Sequence, residues 1–379
     1  MWPYVTTIFA EMSALAVRTG AINLGQGFPD TDGPASLLED AVAAIRSGAN
    51  QYPPGVGVPE LRQAIAAHQK RFYGLDVDPD SQVLVTAGAT EAIAATILAL
   101  TGPGDEVITF EPYYDSYAAS IALSGATRRT VVLRRPDFAV DPDELVAAFT
   151  PRTRLVLINS PHNPTGKVFS QVELEWIARL ASEHDVLVVT DEVYEHQTFD
   201  ATPHIPIATL PEMAERTVTI SSAGKTFSVT GWKIGWLHAP APVTTAVRAV
   251  KQFLTYVNGA PFQPAVARAL GLDDDFYHSL AAGLQRKRDL LCAGLLEAGF
   301  EVFSPAGTYF VVADAAPLGF DDGLDLCWRL PELAGVAAVP VSTFHDDPEA
   351  ARSLVRFAFC KRDDVLAEAA QRLAQLRGQ

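Results

Sequence analysis

From about residue 82 the chain alternates short, apolar, β-rich runs with segments whose apolar positions recur at helical spacing. QVLVT (82–86) precedes EAIAATILAL (91–100), EVITF (106–110) precedes YDSYAASIAL, and RLVLIN (154–159) precedes VELEWIARLASEH. VLVVT (186–190), TVTI (217–220) and KIGWLHA (233–239) continue the series. Strands bounded by helices at this spacing predict a mainly parallel sheet covered on both faces. Ligands of such sheets bind beyond the carboxyl ends of the strands. The informative polar residues are therefore expected just after each apolar run.

The pattern changes after about residue 270. Residues 285–299 are amphipathic and helical, EVFSPAGTYFVVAD reads as two strands, SLVRFAFC reads as another, and the chain ends in a helix. This α+β pattern predicts a smaller second unit, to which the N-terminal segment contributes. The expected division is a large unit of residues 45–270 and a small unit of residues 1–44 and 271–379. No internal repeat or linker interrupts either.

Composition narrows the picture. The 379 residues are 48% hydrophobic and 20% charged, enough material for a globular large domain and a smaller one. A net charge of −16 repels phosphate backbones and sets nucleic acid aside as a partner. Cys292, Cys327 and Cys360 are too few and too scattered for a disulfide framework, which points to a reducing cytoplasm. The eight histidines show no metal-ligand spacing, so no structural metal is expected. The start, MWPYVTTIFAEMSALA, lacks the basic lead and long apolar run of a signal peptide. No apolar stretch reaches the roughly 20 residues that a membrane span needs.

Four polar signals stand where the strand-end rule says to look. TAGATEA follows QVLVT. Gly88, Ala89 and Thr90 are small and a helix starts at once, so free backbone N–H groups and the positive helix end make an anion site; a capped helix after a tight turn would read the same way. NSPHNPTG (159–166) follows RLVLIN, and its two prolines and glycine fix a rigid loop around Asn163. DEVYEH follows VLVVT. Asp191 there leaves a central strand and points into the crevice, where a carboxylate is costly without a positive partner such as a protonated pyridine nitrogen. The plainer alternative is a helix cap. Tyr194 lies three residues on. The fourth signal is SSAGKTFSVTGWKIGW (221–236). Of seven lysines, Lys225 alone lies among small residues right after a strand, a setting that suits a lysine able to lose its proton and form a Schiff base. Ser222 stands three residues before it and Lys233 eight after it. PPGVGVPEL lacks the third glycine and the preceding strand of a dinucleotide fingerprint, and no P-loop motif is present.

Taken together, GATEA, EPYYDSY, NPTG, DEVY, SxxK with a basic residue eight later, and a late strand arginine resemble the fold-type I, class I/II pyridoxal-phosphate-dependent aminotransferases. The resemblance covers essentially the whole chain. LGQGFPD and NQYPPG look like the branch containing kynurenine aminotransferase and glutamine transaminase K. TTIFAEMSALA, SPHNPTG, YVNGAPFQPAVA and VRFAFCKRDD are most similar to actinobacterial N-succinyldiaminopimelate aminotransferases. The resemblance implies an α/β fold, a mainly parallel seven-stranded sheet flanked by helices, with a smaller α+β domain. It implies transfer of an amino group between an L-amino acid and a 2-oxo acid, with pyridoxal 5′-phosphate as cofactor. N-succinyl-LL-2,6-diaminopimelate is the implied substrate, with 2-oxoglutarate or glutamate as the other partner. Transamination of kynurenine, glutamine or methionine, and β-elimination by a cysteine-conjugate C–S lyase, are the alternatives.

The resemblance also implies roles. Lys225 would carry the cofactor as a Schiff base and shuttle a proton, and Asp191 would pair with the pyridine N–H. Asn163 and Tyr194 would hydrogen-bond the ring's 3-oxygen, and Tyr114 would stack on the ring face. Gly88, Ala89 and Thr90 at the helix start, with Ser222 and Lys233, would hold the phosphate. Tyr52 of NQYPP would reach the phosphate of the neighbouring subunit, making the site composite and the homodimer obligatory. Arg356 would grip the substrate α-carboxylate as a planar fork, helped by the backbone at Gly27. Asn258 is a candidate for contact with a long side chain, its alternative being a turn residue of NGAP. Lysine at 233 departs from the arginine of many relatives, keeping the charge and losing the fork. Asn258 and Gly259 stand where kynurenine-type relatives present aromatic and histidine side chains, which counts against a kynurenine preference.

Overall fold

The computed structural model describes residues 7–377. Residues 1–6, the opening of the segment read above for a signal peptide, and residues 378–379 lie outside the described residues. Seven strands form the larger sheet: β1 (Val83–Ala87), β2 (Glu106–Glu111), β3 (Thr127–Val132), β4 (Thr153–Asn159), β5 (Leu187–Asp191), β6 (Thr217–Ser222) and β7 (Ile234–His238). Their order is β1-β7-β6-β5-β4-β2-β3. All neighbours run parallel except β7, which is antiparallel to both β1 and β6. This is the mainly parallel sheet that the alternating pattern predicts.

The inner strands are buried along nearly their whole length, which is why they read as unbroken apolar runs. Strand β3, TRRTVV, was not read from the pattern. It is an edge with one neighbour, its residues are mostly half-exposed, and an edge has no need of a continuous apolar run. Helices Gly88–Leu100, Asp115–Ser124 and Gln171–Glu183 follow β1, β2 and β4. The last is started by a reciprocal cap: the Ser170 side chain accepts from the Glu173 N–H, and the Glu173 carboxylate accepts from the Ser170 N–H.

The second sheet is antiparallel, with β8 (Glu301–Phe303), β9 (Phe310–Asp314), β10 (Val339–Pro340) and β11 (Leu354–Ala358) in the order β10-β11-β9-β8. The helix expected over 285–299 is longer, running Asp274–Ala298. The side chain of Asp273 caps it and two more acids occupy its first turn, where negative charge is favoured. The N-terminal segment is stitched to this unit: Ile22–Asn23 pair in parallel with Val336–Ala337, and the Ala358 N–H donates to the Leu24 carbonyl at 2.7 Å. One buried cluster runs from Ile108 and Val156 of the large sheet to Val312 and Phe357 of the small one.

Register brings the informative residues together. Asn159 pairs with Asp191 across β4 and β5, Ser222 with Gly235 across β6 and β7, and Ala87 with Ile234 across β1 and β7. The carboxyl ends of β1, β4, β5 and β6 and the start of β7 thus meet at one edge of the sheet, facing Arg356 on β11.

Candidate active site

At that edge lies a cavity of about 970 Å³. Gly88, Ala89 and Thr90 line it at the start of helix Gly88–Leu100, with Ser222 and Lys233 beside them. Tyr114, Asn163, Asp191 and Tyr194 line its wall, and Lys225, Gly27 and Arg356 complete it. Two residues lie outside this chain's cavity lining: Tyr52, expected at the neighbouring subunit's phosphate, and Asn258. Tyr52 is 82% exposed and packs edge-on to Tyr256 at 5.7 Å. Asn258 is outside the cavity lining, and its amide donates to the carbonyls of Thr86 and Lys233, both at 3.0 Å. It ties β1 to the Lys233 loop.

The anion end is built by close approach. A Cβ on Gly235 would come 2.4 Å from the carbonyl carbon of Gly88, so β7 lies against the helix start only because residue 235 has no side chain. Lys233 adopts the left-handed region at φ 54°, sparsely populated for a side-chain-bearing residue. Its ammonium thereby reaches Gly88, where a Cβ would sit 3.0 Å from Nζ. An ammonium and the first turn of a 13-residue helix converge on one point, which fits a phosphate.

Asp191 is 5% exposed. Burial pushes its carboxyl up to about 6, against the Tyr117 hydroxyl, which donates to Oδ2 at 2.7 Å, and the Val193 N–H at 3.3 Å. Asn159 sets the loop: its amide donates to the Asp191 carbonyl at 2.8 Å, and its Oδ1 accepts from the Asn163 N–H at 2.7 Å. Lys225 follows β6 on the short helix Ala223–Thr226. Burial lowers its amine to about 8, with Cys360 and Asp191 opposing and Arg356 and Lys233 reinforcing. Nζ donates to the Tyr309 hydroxyl at 2.9 Å.

Arg356 is 1% exposed. It donates to Asn163 Oδ1 and the Gly25 carbonyl, both at 2.8 Å, and its guanidinium carbon lies 3.9 Å from the Phe310 ring centre. Burial lowers it to about 10, so it stays cationic at neutral pH. Its Nε is buried without a partner. Rings pin it, neutral acceptors hold part of it, and the remaining donor capacity is left for a carboxylate.

Tyr117, Asn159 and Tyr309 were not singled out from sequence. Asn159 ends β4, so the strand-end rule could have found it. Tyr117 stands one helical turn past Tyr114. A second polar cluster lies apart from the cavity lining. His68 and His196 face each other through Nε2 at 2.7 Å, and Glu195 stands close enough for the three to bracket a metal ion. No spacing signal announces this cluster, since 128 residues separate the histidines. Both carboxylate oxygens of Glu195 already take hydroxyl donors, Tyr73 at 2.7 Å and Ser221 at 2.6 Å, and the ring nitrogens point at each other, as in a shared N–H···N hydrogen bond.

A buried carboxylate, a deprotonatable lysine, an anion cradle and a half-satisfied arginine in one cavity describe a site for a phosphorylated, nitrogen-bearing cofactor and a carboxylate substrate. Residues 19–373 match the family model of class I and II aminotransferases. The chain belongs to that family. It is a pyridoxal-phosphate-dependent aminotransferase of fold type I. The chain is similar to the N-succinyldiaminopimelate aminotransferase of Mycobacterium tuberculosis, with 56% identity, a TM-score of 0.97 and coverage of 99% of this chain and 98% of that one. A methionine aminotransferase of Escherichia coli is 44% identical at a TM-score of 0.95, covering 98% and 97%. A mouse kynurenine–oxoglutarate transaminase is 38% identical over 95% of this chain and 86% of its own length. The residues present fit the cofactor: among the described residues Asp191 makes no ion pair, and no carboxylate pairs with Lys233 at the helix start. Such a cofactor supplies an aldehyde carbon to take up the amino group and an electron-withdrawing ring to hold the electron pair left at the substrate carbon.

Proposed function

We propose that this aminotransferase acts on a long amino acid ending in a distant carboxylate, N-succinyl-LL-2,6-diaminopimelate, with 2-oxoglutarate and glutamate as the other pair. The 56% identity over nearly the full chain is the observation that carries the reading. In it, Lys225 holds the cofactor covalently and, once freed, takes the substrate α-proton on Nζ. Asp191 keeps the ring nitrogen protonated, and Tyr117 and Asn159 keep Asp191 in place. Asn163 and Tyr194 bind the ring oxygen, and Tyr114 covers the ring face. Gly88, Ala89, Thr90, Ser222 and Lys233 hold the phosphate. Arg356 grips the α-carboxylate, with the Gly27 backbone beside it.

The same reading includes a homodimer in which Tyr52 reaches the partner's phosphate. Tyr52, Phe253, Leu254 and Tyr256 form an exposed apolar group, the composition of a protein interface. It also includes a cytoplasmic location, supported by three buried, unpaired thiols. No helix among the described residues is long and apolar enough to cross a membrane. The division at residues 45 and 270 is supported by the large sheet lying within 83–238 and the small one within 301–358, although helix Ala35–Arg46 packs on helix Phe262–Ala269.

One observation favours a second reading, transamination of methionine or a similar apolar amino acid. Ile8, Phe9, Leu324 and Trp328 line the cavity, and its described lining offers no cation besides Lys225, Lys233 and Arg356. A panel of donors assayed for glutamate formation from 2-oxoglutarate decides: the succinylated diaminopimelate should exceed methionine, glutamine and kynurenine in kcat/KM. Faster turnover of methionine replaces the first reading with the second.

A further inference from the structure

Tyr309 has no part in the reading above, yet its hydroxyl is the nearer of two polar contacts of the Lys225 amine. It comes from the second unit, just before β9, and its carbonyl accepts from the Phe359 N–H at 2.8 Å. Its ring meets Tyr194 and Phe310 edge-on at 5.3 and 4.8 Å and is 1% exposed. The hydroxyl lies 2.6 Å from the Gly27 carbonyl oxygen. That approach requires a bare residue 27, since a Cβ there would fall 2.4 Å from the Phe310 ring.

A carbonyl oxygen only accepts, so the single phenol proton goes to Gly27. Toward Lys225 Nζ, 2.9 Å away, the phenol oxygen can then only accept. The Gly27 carbonyl itself is 3.5 Å from that nitrogen, at the limit of a hydrogen bond. We propose that Tyr309 is a positioning residue: with its proton committed to Gly27, it anchors one N–H of the free Lys225 amine and leaves the nitrogen lone pair open to the substrate α-proton. When that proton transfers, the C–H bond breaks, the proton joins the lone pair to give an ammonium, and the electron pair stays with the substrate. The phenol does not ionise in exchange, because burial holds it well above its ordinary range. Packing alone does not call for the hydroxyl, since phenylalanine would fill the same space between the rings.

This inference rests on Lys225 being the cofactor lysine, and the test separates the two. Wild-type and Tyr309→Phe enzymes are stripped of cofactor, mixed with pyridoxal phosphate across a pH series, and reduced with borohydride. The labelled lysine is then located by mass spectrometry. The expected label is on Lys225 in both. An oxygen acceptor favours the ammonium over the amine, so its loss should move the midpoint of covalent capture down by about one pH unit. In the intact enzyme, kcat with α-deuterated glutamate should fall about tenfold, the worth of one hydrogen bond, with a larger primary isotope effect and unchanged KM. A label on Lys225 with midpoint and isotope effect unmoved overturns the inference alone; a label on another lysine overturns the reading beneath it. Should the phenylalanine variant fold poorly, 3-fluorotyrosine at 309 keeps the shape while making the phenol a better donor and poorer acceptor. It should shift both readouts the same way by less, and no shift, or a reversed one, overturns the proposal.

Discussion

Asp191 and Glu195 leave the same strand, are each 5% exposed, and are displaced in opposite directions. Burial pushes Asp191 up to about 6. Burial also works against ionised Glu195, but His68, His196 and the Ser221 hydroxyl outweigh it and hold the group down to about 2. The difference lies in the partners. Glu195 takes two short hydroxyl bonds and faces imidazoles, so the fold itself satisfies it. Asp191 takes one short hydroxyl bond and one long amide bond and opens onto the cavity. A buried charge that its own fold leaves short of partners marks where a ligand belongs, whereas a buried charge fully served by its neighbours is part of the scaffold. Lys225 and Arg356, both lowered by burial, fall on the Asp191 side of this contrast.

The contrast breaks most readily at the cavity. Lys225→Ala should lose the borohydride-reducible adduct and essentially all turnover, since Lys233, the other described lysine lining the cavity, is exposed; an adduct surviving at Lys233 would refute the assignment. Asp191→Asn should come next. An amide cannot hold the ring proton, and removal of a preorganised electrostatic partner costs about 2.7–4 kcal/mol, or roughly 10²–10³ in kcat. Cofactor occupancy, read from the visible band of the purified variant, should change little. Turnover within threefold of wild type would remove Asp191 from the chemistry.

How much of this was legible follows from where the forces act. The large sheet was legible because its inner strands are buried on both faces, and Asp191, Asn163, Gly88 and Lys225 were legible because each stands directly after such a run. The edge strand TRRTVV was not, because its half-exposed residues carry no apolar period; the first turns of helix Asp274–Ala298 were passed over although Phe276, Tyr277, Leu280 and Leu284 recur there at helical spacing. Asn258 was a candidate for a flexible contact with the long side chain, or for one made from the other subunit; within one chain its amide donates to two backbone carbonyls, a pairing set by how two loops meet. Tyr309 and Lys225 are 84 residues apart and His68 and His196 are 128 apart, so no local pattern could announce either contact.

Arg356 and Asn258 sharpen the contrast at an intermediate level. Every donor carries an α-carboxylate, so Arg356→Ala should lower kcat/KM for glutamate and for the succinylated donor by similar factors. A hydrogen bond to a charged group is worth about 1.5–3 kcal/mol, roughly 10- to 150-fold. Asn258→Ala should act through the Lys233 loop instead, weakening cofactor retention a few-fold and slowing both donors alike. Single-turnover rates with the two donors check both, and a selective loss of the longer donor in the Asn258 variant would return that residue to the substrate pocket.

The smallest effect on turnover is expected at Glu195. Glu195→Gln should leave kcat within about threefold, because the carboxylate lies outside the cavity lining and touches neither Lys225 nor Asp191. Its consequence is for stability. An amide offers one oxygen where the carboxylate offered two, so Tyr73 or Ser221 loses its acceptor and its charge-assisted bond, worth about 1.5–3 kcal/mol. The sign of the pH dependence follows from the direction of the shift. Because the folded carboxyl titrates at about 2, below its ordinary range near 4.5, its stabilisation is complete above that range and is lost as pH falls toward 2. The gap in denaturant midpoint between wild type and variant should therefore be constant from pH 7 to 5 and narrow progressively below about 4.5. A gap that widens on acidification would mean that Glu195 is protonated in the folded protein, and one that appears as a fall in kcat with unchanged stability would place Glu195 beside Asp191 among the groups that serve the reaction.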